Sequence, residues 1–235
     1  MGRNPQKLLC LRPMNRLLAT LRRWLNQAAP GSRRVQSVHS GMLEITWQEG
    51  RKVLNTAHAN YSYGPLHTVM RYGLLFTEPA TAGAILVLGL GGGSVVQVLR
   101  QEYQAAGPIT AVELDPVVIR VAAEEFGIRP DDTLRIVCAD AFGWVAMAPA
   151  ASFGLVVVDL FIDLALPAGL YTAAFWQQLW RLLRPGGYVV FNTLLGTEVW
   201  VESLEVSSYL EQLGFQVKEA EVEEFNRLLI LRKPR

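Results

Sequence analysis

The sequence has few cysteines, almost no net charge and no long apolar run. It contains two cysteines among 235 residues and has a formal net charge of +1. Cys10 lies in an arginine-rich stretch and Cys138 in an apolar one, so we expect no disulfide framework and a reducing, cytoplasmic compartment. A charge near zero creates no global field that would draw the protein to nucleic acid.

Other absences exclude further classes. No stretch reaches the roughly 18 consecutive apolar residues of a membrane span, because glycines interrupt the longest candidate, residues 82–98. No cysteine–histidine cluster indicates a metal site, and no Ser–His–Asp pattern indicates a hydrolase. What is present is a 51% hydrophobic, 18% charged composition, which is typical of a globular chain with a sizeable core.

The first 34 residues differ from the rest in character. They carry arginines and lysines but no acidic residue, with leucines and Trp24 at helical spacing between the arginines. This pattern predicts a basic amphipathic leader, residues 1–34. It could contact a membrane surface or a partner, or pack on the body of the protein. Alternatively, Met14 is the true start.

A short β-rich segment, residues 35–78, follows the leader. Residues 43–47 alternate as a strand does, residues 48–52 form a turn, and Val53 begins a second strand, so we expect a hairpin of two or three strands. A loop that carries Tyr63 then leads into a helix with His67 and Met70 at helical spacing. The segment is too small to stand alone.

Residues 79–235 alternate strands with helices. Apolar strands are predicted near residues 85–88, 109–113, 134–138, 155–159 and 188–192, and helices at 94–103, 116–126, near Trp144 and at 173–183. A helix at 201–213 and strands at 215–222 and 227–231 end the pattern. The prediction is an α/β, Rossmann-like, doubly wound, mostly parallel seven-stranded sheet with an antiparallel C-terminal strand at or near one edge.

A glycine cluster, residues 89–93, follows the first strand of this domain. Glycines let the backbone turn sharply and approach a ligand, and a helix N-terminus offers unpaired N–H groups. A glycine-rich turn can also serve packing alone. The third position of the dinucleotide fingerprint falls on Ser94, which disfavours a NAD site.

Acidic residues mark the ends of the next strands. Glu113, Asp140 and Asp159 each end a predicted strand, and such ends line one crevice of a parallel sheet. Glu113 is placed to accept hydrogen bonds from ribose hydroxyls, and Asp140 from an adenine amine. Asp115, before Pro116, is predicted to cap a helix. Together with the glycine turn, these acids indicate an adenosine site.

Taken in order, residues 88–93, 112–115, 139–141 and 158–159 resemble the nucleotide-binding motifs of spermidine synthases. Residues 166–171, with Phe175 and Trp176 after them, resemble that family's P-A-x-x-L-(F/Y)…F-(Y/W) segment. The N-terminal hairpin and the Tyr63 loop are similar to its small N-terminal domain. The likeness runs from about residue 35 to residue 192.

The resemblance implies the fold of class I S-adenosylmethionine-dependent methyltransferases. It also implies aminopropyl transfer from decarboxylated S-adenosylmethionine, as co-substrate, to a small amine, a place in polyamine biosynthesis, and a homodimer. By resemblance, Asp159 would be the catalytic base, with Asp163 and Tyr63 beside it. The residues that would bind the co-substrate are Gly89, Gly91, Gly92, Gly93, Glu113, Leu114, Asp140, Ala141 and Asp159.

Two alternatives stay open because the sequence departs from the family's pattern. The family's glycine loop carries an aspartate where this chain has Gly92, and polar residues after the loop tyrosine are replaced by Gly64 and Pro65. The first alternative is a methyltransferase that uses intact S-adenosylmethionine. The second is a non-catalytic nucleotide-binding homologue.

Overall fold

The computed structural model describes residues 31–48, 50–56, 60–62 and 65–235. The amphipathic helix predicted in the leader and the role predicted for Tyr63 lie outside the described residues. An antiparallel N-terminal sheet comes first, in the order β1-β2-β3-β4. Its strands are β1 (Arg33–Gln36), β2 (Met42–Gln48), β3 (Arg51–Asn55) and β4 (Asn60–Ser62).

The expectation of two or three strands in this segment was wrong, since the sheet has four. β1 has the sequence RRVQ and is largely exposed, so it lacks the apolar alternation by which a strand is predicted. β1 pairs with β2 from Arg33 opposite Ile45 to Gln36 opposite Met42. Backbone pairing, and not side-chain pattern, defines this strand.

A seven-stranded sheet forms the centre of the main domain, in the order β12-β13-β9-β8-β5-β6-β7. The five strands from β5 to β9 are parallel, and β13 pairs antiparallel with both β9 and β12. This confirms the predicted sheet and its antiparallel final strand. The strands are β5 (Ile85–Leu88), β6 (Ile109–Glu113), β7 (Leu134–Cys138), β8 (Phe153–Val158), β9 (Leu183–Leu194), β12 (Gln216–Val222) and β13 (Asn226–Arg232).

Helices cover both faces of this sheet. They are α1 (Pro65–Leu74), α2 (Ser94–Gln97), α3 (Pro116–Glu125), α4 (Ala141–Met147), α5 (Ala173–Leu182) and α6 (Val206–Gln212), with 3₁₀ turns at Pro79–Thr81 and Ala168–Tyr171. None of the helices in the described ranges is long and apolar enough to cross a bilayer.

The central strands are buried on both faces because each side chain enters one of two apolar cores. All four residues of β5 and all six of β8 are buried. Leu86 and Leu88 enter the core beneath α4, α5 and α6, whereas Ile85 and Val87 enter the core beneath α1 and α2. Period-2 alternation between two apolar layers explains why these strands are continuous apolar runs.

The N-terminal sheet packs on α3 through a third, smaller core. Leu43 and Leu54 from the sheet meet Val118 and Val121 from the helix. Charged contacts surround this core: Lys52 Nζ lies 2.8 Å from a carboxylate oxygen of Glu125. The helix that follows β6 is therefore held from both sides, and its N-terminus reaches the edge where the candidate site lies.

Two predicted helices differ from the structure. The prediction of a helix from residue 201 was wrong, because β10 (Trp200–Val201) and β11 (Leu204–Glu205) form a small hairpin there. Its turn places Glu202 and Ser203 in the left-handed region, and the Glu205 side chain then caps α6. The helix predicted at 94–103 is α-helical only over α2 and continues as a π-helical turn, Val98–Glu102.

Candidate active site

A cleft of about 620 Å³ opens at the carboxyl ends of the parallel strands. It has two halves. The β5–β7 half is lined by the residues that follow β5, β6 and β7, and the β8–β13 half by those that follow β8 and β9 and by the start of β13. His39 and Ser40, from the loop between β1 and β2, also line the cleft, as does Leu66 of α1.

The glycine turn after β5 brings two of its glycines to the cleft. Gly89 and Gly91 line it, whereas Gly92 and Gly93 are buried behind the turn. Gly89 has a φ of 91°, and a Cβ there would lie 2.1 Å from the carbonyl oxygen of Asp159. At this position glycine is therefore required by the close approach of the strand end after β8, whether or not a ligand is bound.

Glu113 ends β6 and holds the glycine turn. Its Oε2 accepts hydrogen bonds from the N–H groups of Leu90 (3.0 Å) and Gly91 (3.3 Å), and its Oε1 accepts from the N–H of Asp115 (3.0 Å). Burial raises the pKa of Glu113, and these backbone hydrogen bonds oppose the rise. The carboxylate thus fixes the turn and also faces the cleft.

Asp115 ties the N-terminal sheet to the site. Its Oδ1 accepts from the N–H of Val117 at 2.7 Å, which confirms the predicted helix cap. Its Oδ2 accepts from the Ser37 hydroxyl and from the N–H groups of Val38 (2.9 Å) and His39 (3.0 Å). Burial alone would raise the pKa of Asp115, but these hydrogen bonds outweigh it and lower the pKa. One carboxylate therefore positions the loop that brings His39 to the cleft.

Asp140 follows β7 and begins α4. Its Oδ2 accepts from the N–H of Gly143 at 2.8 Å, so it caps that helix as well as lining the cleft. Leu114 and Ala141 line the cleft beside it, and so does Phe142, whose ring packs edge-on against Phe175 with centroids 5.0 Å apart. The β5–β7 half thus offers carboxylates next to flat apolar surface, which suits a nucleoside.

Asp159 follows β8, at the boundary between the two halves. Its Oδ1 accepts a hydrogen bond from Asn192 Nδ2 at 2.8 Å, and Asn192 Oδ1 accepts from Asn226 Nδ2 at 3.0 Å. Burial raises the pKa of Asp159 to about 6; the Asn192 hydrogen bond opposes the rise, and the charge of Glu113 adds to it. A carboxylate with this pKa is ionised at neutral pH and can accept a proton.

Asp163 lies four residues further on, at the tip of a tight turn. Ile162 and Ala165 bond to each other through both backbone N–H groups, at 2.9 and 3.0 Å, and Asp163 between them has a φ of 55°. Its Oδ1 accepts a hydrogen bond from the hydroxyl of Thr56, the residue that follows β3. Asp163 therefore lines the cleft and also joins the turn to the N-terminal sheet.

Most of the predicted site residues come together in one cleft. Seven of the nine residues expected to bind the co-substrate line it: Gly89, Gly91, Glu113, Leu114, Asp140, Ala141 and Asp159. Asn192 and Asn226 were not predicted. A polar residue at the end of the apolar run 188–191 was the available signal for Asn192, but nothing in the local sequence placed Asn226 beside it. Among the described residues, no group of three or more His, Cys, Asp or Glu side chains is arranged to hold a metal ion.

Comparison with known proteins agrees with this architecture. Residues 86–191 match the family model described as "Methyltransferase domain". The polyamine aminopropyltransferase of Vibrio vulnificus (strain CMCP6) is 30% identical over 164 residues, which are 67% of this chain and 54% of the relative. The malonyl-[acyl-carrier protein] O-methyltransferase of Paenibacillus sp. (strain JDR-2) is 34% identical over 115 residues, 48% of this chain and 40% of that protein.

A solved structure is similar over more of the chain than these sequence matches are. The crystal structure of a probable spermidine synthase from Corynebacterium glutamicum ATCC 13032 superposes with a TM-score of 0.67 at 17% identity and covers 87% of this chain and 81% of that one. At that identity the superposition shows the fold alone. The chain spans about half the length of the curated relatives it matches, and both of those relatives are named as transferases. The chain therefore has the methyltransferase fold and is similar in sequence to proteins named as polyamine aminopropyltransferases.

Proposed function

We propose that this protein transfers an alkyl group, by resemblance an aminopropyl group, from an S-adenosyl sulfonium co-substrate to a small amine. The observation that carries the proposal is the position of Asp159: an ionisable carboxylate at the boundary between the two halves of the cleft, with Glu113 and Asp140 on one side. The coarser part, a transferase on the methyltransferase fold, is supported by the named relatives.

The β5–β7 half has the groups that an adenosine needs. Glu113 and Asp140 supply acceptors for hydroxyl and amine hydrogens, and Leu114 and Phe142 supply apolar surface. Glu113 shares its oxygens with three backbone N–H groups, so a bound ribose would meet a carboxylate whose position is already fixed. Such preorganisation lowers the entropic cost of binding.

Asp159 supplies the chemistry. An amine arrives largely as an ammonium ion, and the Asp159 carboxylate takes one of its protons and frees the nitrogen lone pair. That lone pair forms a bond to the carbon next to the sulfonium, while the carbon–sulfur bond breaks and its electron pair returns to sulfur. The products are a substituted ammonium ion and a neutral thioether, and Asp159 releases its proton to solvent. The Asn192 hydrogen bond holds the carboxylate in place during this exchange.

Methyl transfer is the second candidate, and one observation favours it. Gly92 stands where spermidine synthases resembling this chain carry an aspartate, and it is buried. The tail of an aminopropyl donor carries an uncompensated ammonium that needs a carboxylate, whereas the tail of intact S-adenosylmethionine carries its own carboxylate beside the ammonium. Asp163 would have to serve an aminopropyl donor or acceptor in its place.

The decisive measurement is thermal stabilisation by S-adenosylmethionine and, separately, by its decarboxylated form. The two forms are compared at equal concentration: a form present at about 100 times its dissociation constant should stabilise the fold by roughly 2.7 kcal/mol, and a weaker-binding form by less. Preference for the decarboxylated form supports aminopropyl transfer, and preference for the intact form replaces it with methyl transfer. A response to neither form would leave a non-catalytic homologue. Glu113→Gln should reduce the stabilisation, and Glu211→Gln, on the exposed face of α6, is the matched control.

A further inference from the structure

The β8–β13 half of the cleft has an apolar wall around Asp159. Three members of this wall are large and remain exposed: Phe225 at 68%, Leu164 at 48% and Ile162 at 41%. Large exposed apolar side chains that converge on a concave surface indicate a ligand that covers them. We call this set the apolar wall; its members are Leu160, Phe161, Ile162, Leu164, Leu195 and Phe225.

The polar groups of this half are few, and hydrogen bonds already engage them. Within the described ranges, its carboxylates are Asp159 and Asp163. Asp159 is the base in the reaction proposed above, and Asp163 accepts the Thr56 hydroxyl that anchors the turn. The amides of Asn192 and Asn226 bond to Asp159 and to each other. The other side chains that line this half, among the residues the structure describes, are apolar.

The wall is built from three separated segments that the fold holds together. The turn after β8 is closed by the Ile162–Ala165 backbone pair. The N–H of Leu195 donates to the carbonyl of Phe225 at 2.7 Å, which ties the end of β9 to the turn before β13. Because these contacts hold the wall in place, it presents its apolar surface to an acceptor without any rearrangement of the protein.

We infer that the acceptor is a monoamine with an alkyl or arylalkyl body, not a diamine. This class of acceptor presupposes the alkyl transfer proposed above. A hydrocarbon body gains by leaving water for the apolar wall, whereas the second ammonium of a diamine loses its hydration there and must share Asp163 with the Thr56 hydroxyl. Asp159 then receives the single amine at the reacting end.

The test compares pentylamine with putrescine, which have equal numbers of heavy atoms and differ in a terminal methyl against a terminal amine. Calorimetry measures their binding to the full chain saturated with methylthioadenosine or S-adenosylhomocysteine, the two possible product nucleosides. Pentylamine should bind at least about tenfold more tightly, and each further methylene up to heptylamine should tighten binding about threefold to fourfold. Equal or tighter binding of putrescine overturns the inference, and so does failure of both amines to bind.

A variant tests the wall directly. Phe225→Glu places a carboxylate on the wall at an exposed position and should shift the preference towards putrescine by about tenfold or more. Leu75→Glu is the matched control, because Leu75 follows α1, is 64% exposed and does not line the cleft. An unchanged ratio of the two amines in Phe225→Glu would contradict contact between Phe225 and the acceptor and overturn the inference.

The same preparation separates this inference from the proposed function. If neither product nucleoside raises the melting temperature, the co-substrate site is wrong and the proposed function fails. If a nucleoside binds and putrescine is preferred, the proposed function survives and the monoamine acceptor is rejected.

Discussion

The two halves of the cleft hold their carboxylates in different ways. In the β5–β7 half, Glu113 and Asp140 accept hydrogen bonds from backbone N–H groups. In the β8–β13 half, Asp159 accepts from the side-chain amide of Asn192, which in turn accepts from Asn226. Backbone donors persist as long as the fold does, whereas side-chain donors change with one substitution. The first half therefore presents a fixed recognition surface, and the second can be tuned residue by residue.

The largest expected effect comes from removing the base between the two halves. Asp159→Asn should lower kcat about 10²- to 10⁴-fold, because an amide does not accept the proton of the attacking ammonium. Binding of the product nucleoside, measured by calorimetry, should stay within about threefold of the original. A kcat within tenfold of the original protein would contradict a role of Asp159 as base.

The same substitution should stabilise the fold. The pKa of Asp159 is raised from 3.8 to about 6, so the folded state holds the proton more tightly and ionisation costs stability above about pH 6. At pH 8 we expect Asp159→Asn to raise the free energy of unfolding, measured by urea denaturation, by about 1–3 kcal/mol. This gain over the original protein should shrink as the pH falls from about 6 towards 4. Asp131→Asn is the contrasting control, because the pKa of Asp131 is lowered by hydrogen bonds from Thr133 and Leu134 and its loss should destabilise at pH 8.

Substitution in the backbone-held half should affect binding more than chemistry. In Glu113→Gln, an NH₂ group replaces one oxygen, so either the N–H of Asp115 or those of Leu90 and Gly91 lose their acceptor. We expect the dissociation constant of the co-substrate to rise about tenfold to a hundredfold, with kcat at saturation changed by less. Equilibrium dialysis measures the dissociation constant and steady-state kinetics measure kcat, so the two methods together separate binding from chemistry. An effect confined to kcat would contradict the assignment of the β5–β7 half to binding of the co-substrate.

Loss of the Asn192 side-chain donor should shift the pH dependence of kcat/KM. For the original protein, kcat/KM should rise with pH through about 6 as Asp159 ionises. Asn192 lowers the pKa of Asp159 by hydrogen bonding to its charged form, so Asn192→Ala should move this acidic limb to higher pH. A merely structural role would lower kcat/KM at every pH and leave the limb in place.

The smallest effect is expected for Asn226, which bonds to Asn192 and not to Asp159 itself. Asn226→Ala removes the donor to Asn192 Oδ1 but leaves the Asn192–Asp159 hydrogen bond. We expect a fall in kcat of about two- to fivefold and a shift of the acidic limb in the same direction as in Asn192→Ala, but smaller. Rescue by Asn226→Gln or Asn226→Ser, with a longer or shorter donor, would show that the hydrogen bond and not the volume matters.

The sequence predicted the β5–β7 half better than the β8–β13 half. The strand at 134–138 has the predicted bounds, and Glu113 and Asp140 line the cleft as expected, because strands and the residues that end them are local features. These patterns are read directly from apolar runs and the polar residue that stops them.

The side-chain pair in the other half depends on sheet register. β13 enters antiparallel between β9 and β12, with Leu228 opposite Asn192 and Asn226 opposite Leu194. Asn226 and Asn192 are therefore diagonal neighbours on one face of the sheet. A shift of one residue would have placed the second amide on the opposite face. The local pattern of residues 226–232 does not specify which strand they pair with, so the sequence did not predict the contact between Asn192 and Asn226.

The insertion of β13 also has a consequence for the order in which the site is built. Asn192 and Asn226 are 34 positions apart, and β13 pairs both with β9 and with β12. During synthesis, the parallel strands and the glycine turn emerge first, so the nucleoside surface can form on a nascent chain. Asn226, which donates to the Asn192 amide behind the base, arrives with a later strand that inserts between β9 and β12. The co-substrate surface would then be complete before the hydrogen-bond chain behind Asp159 is.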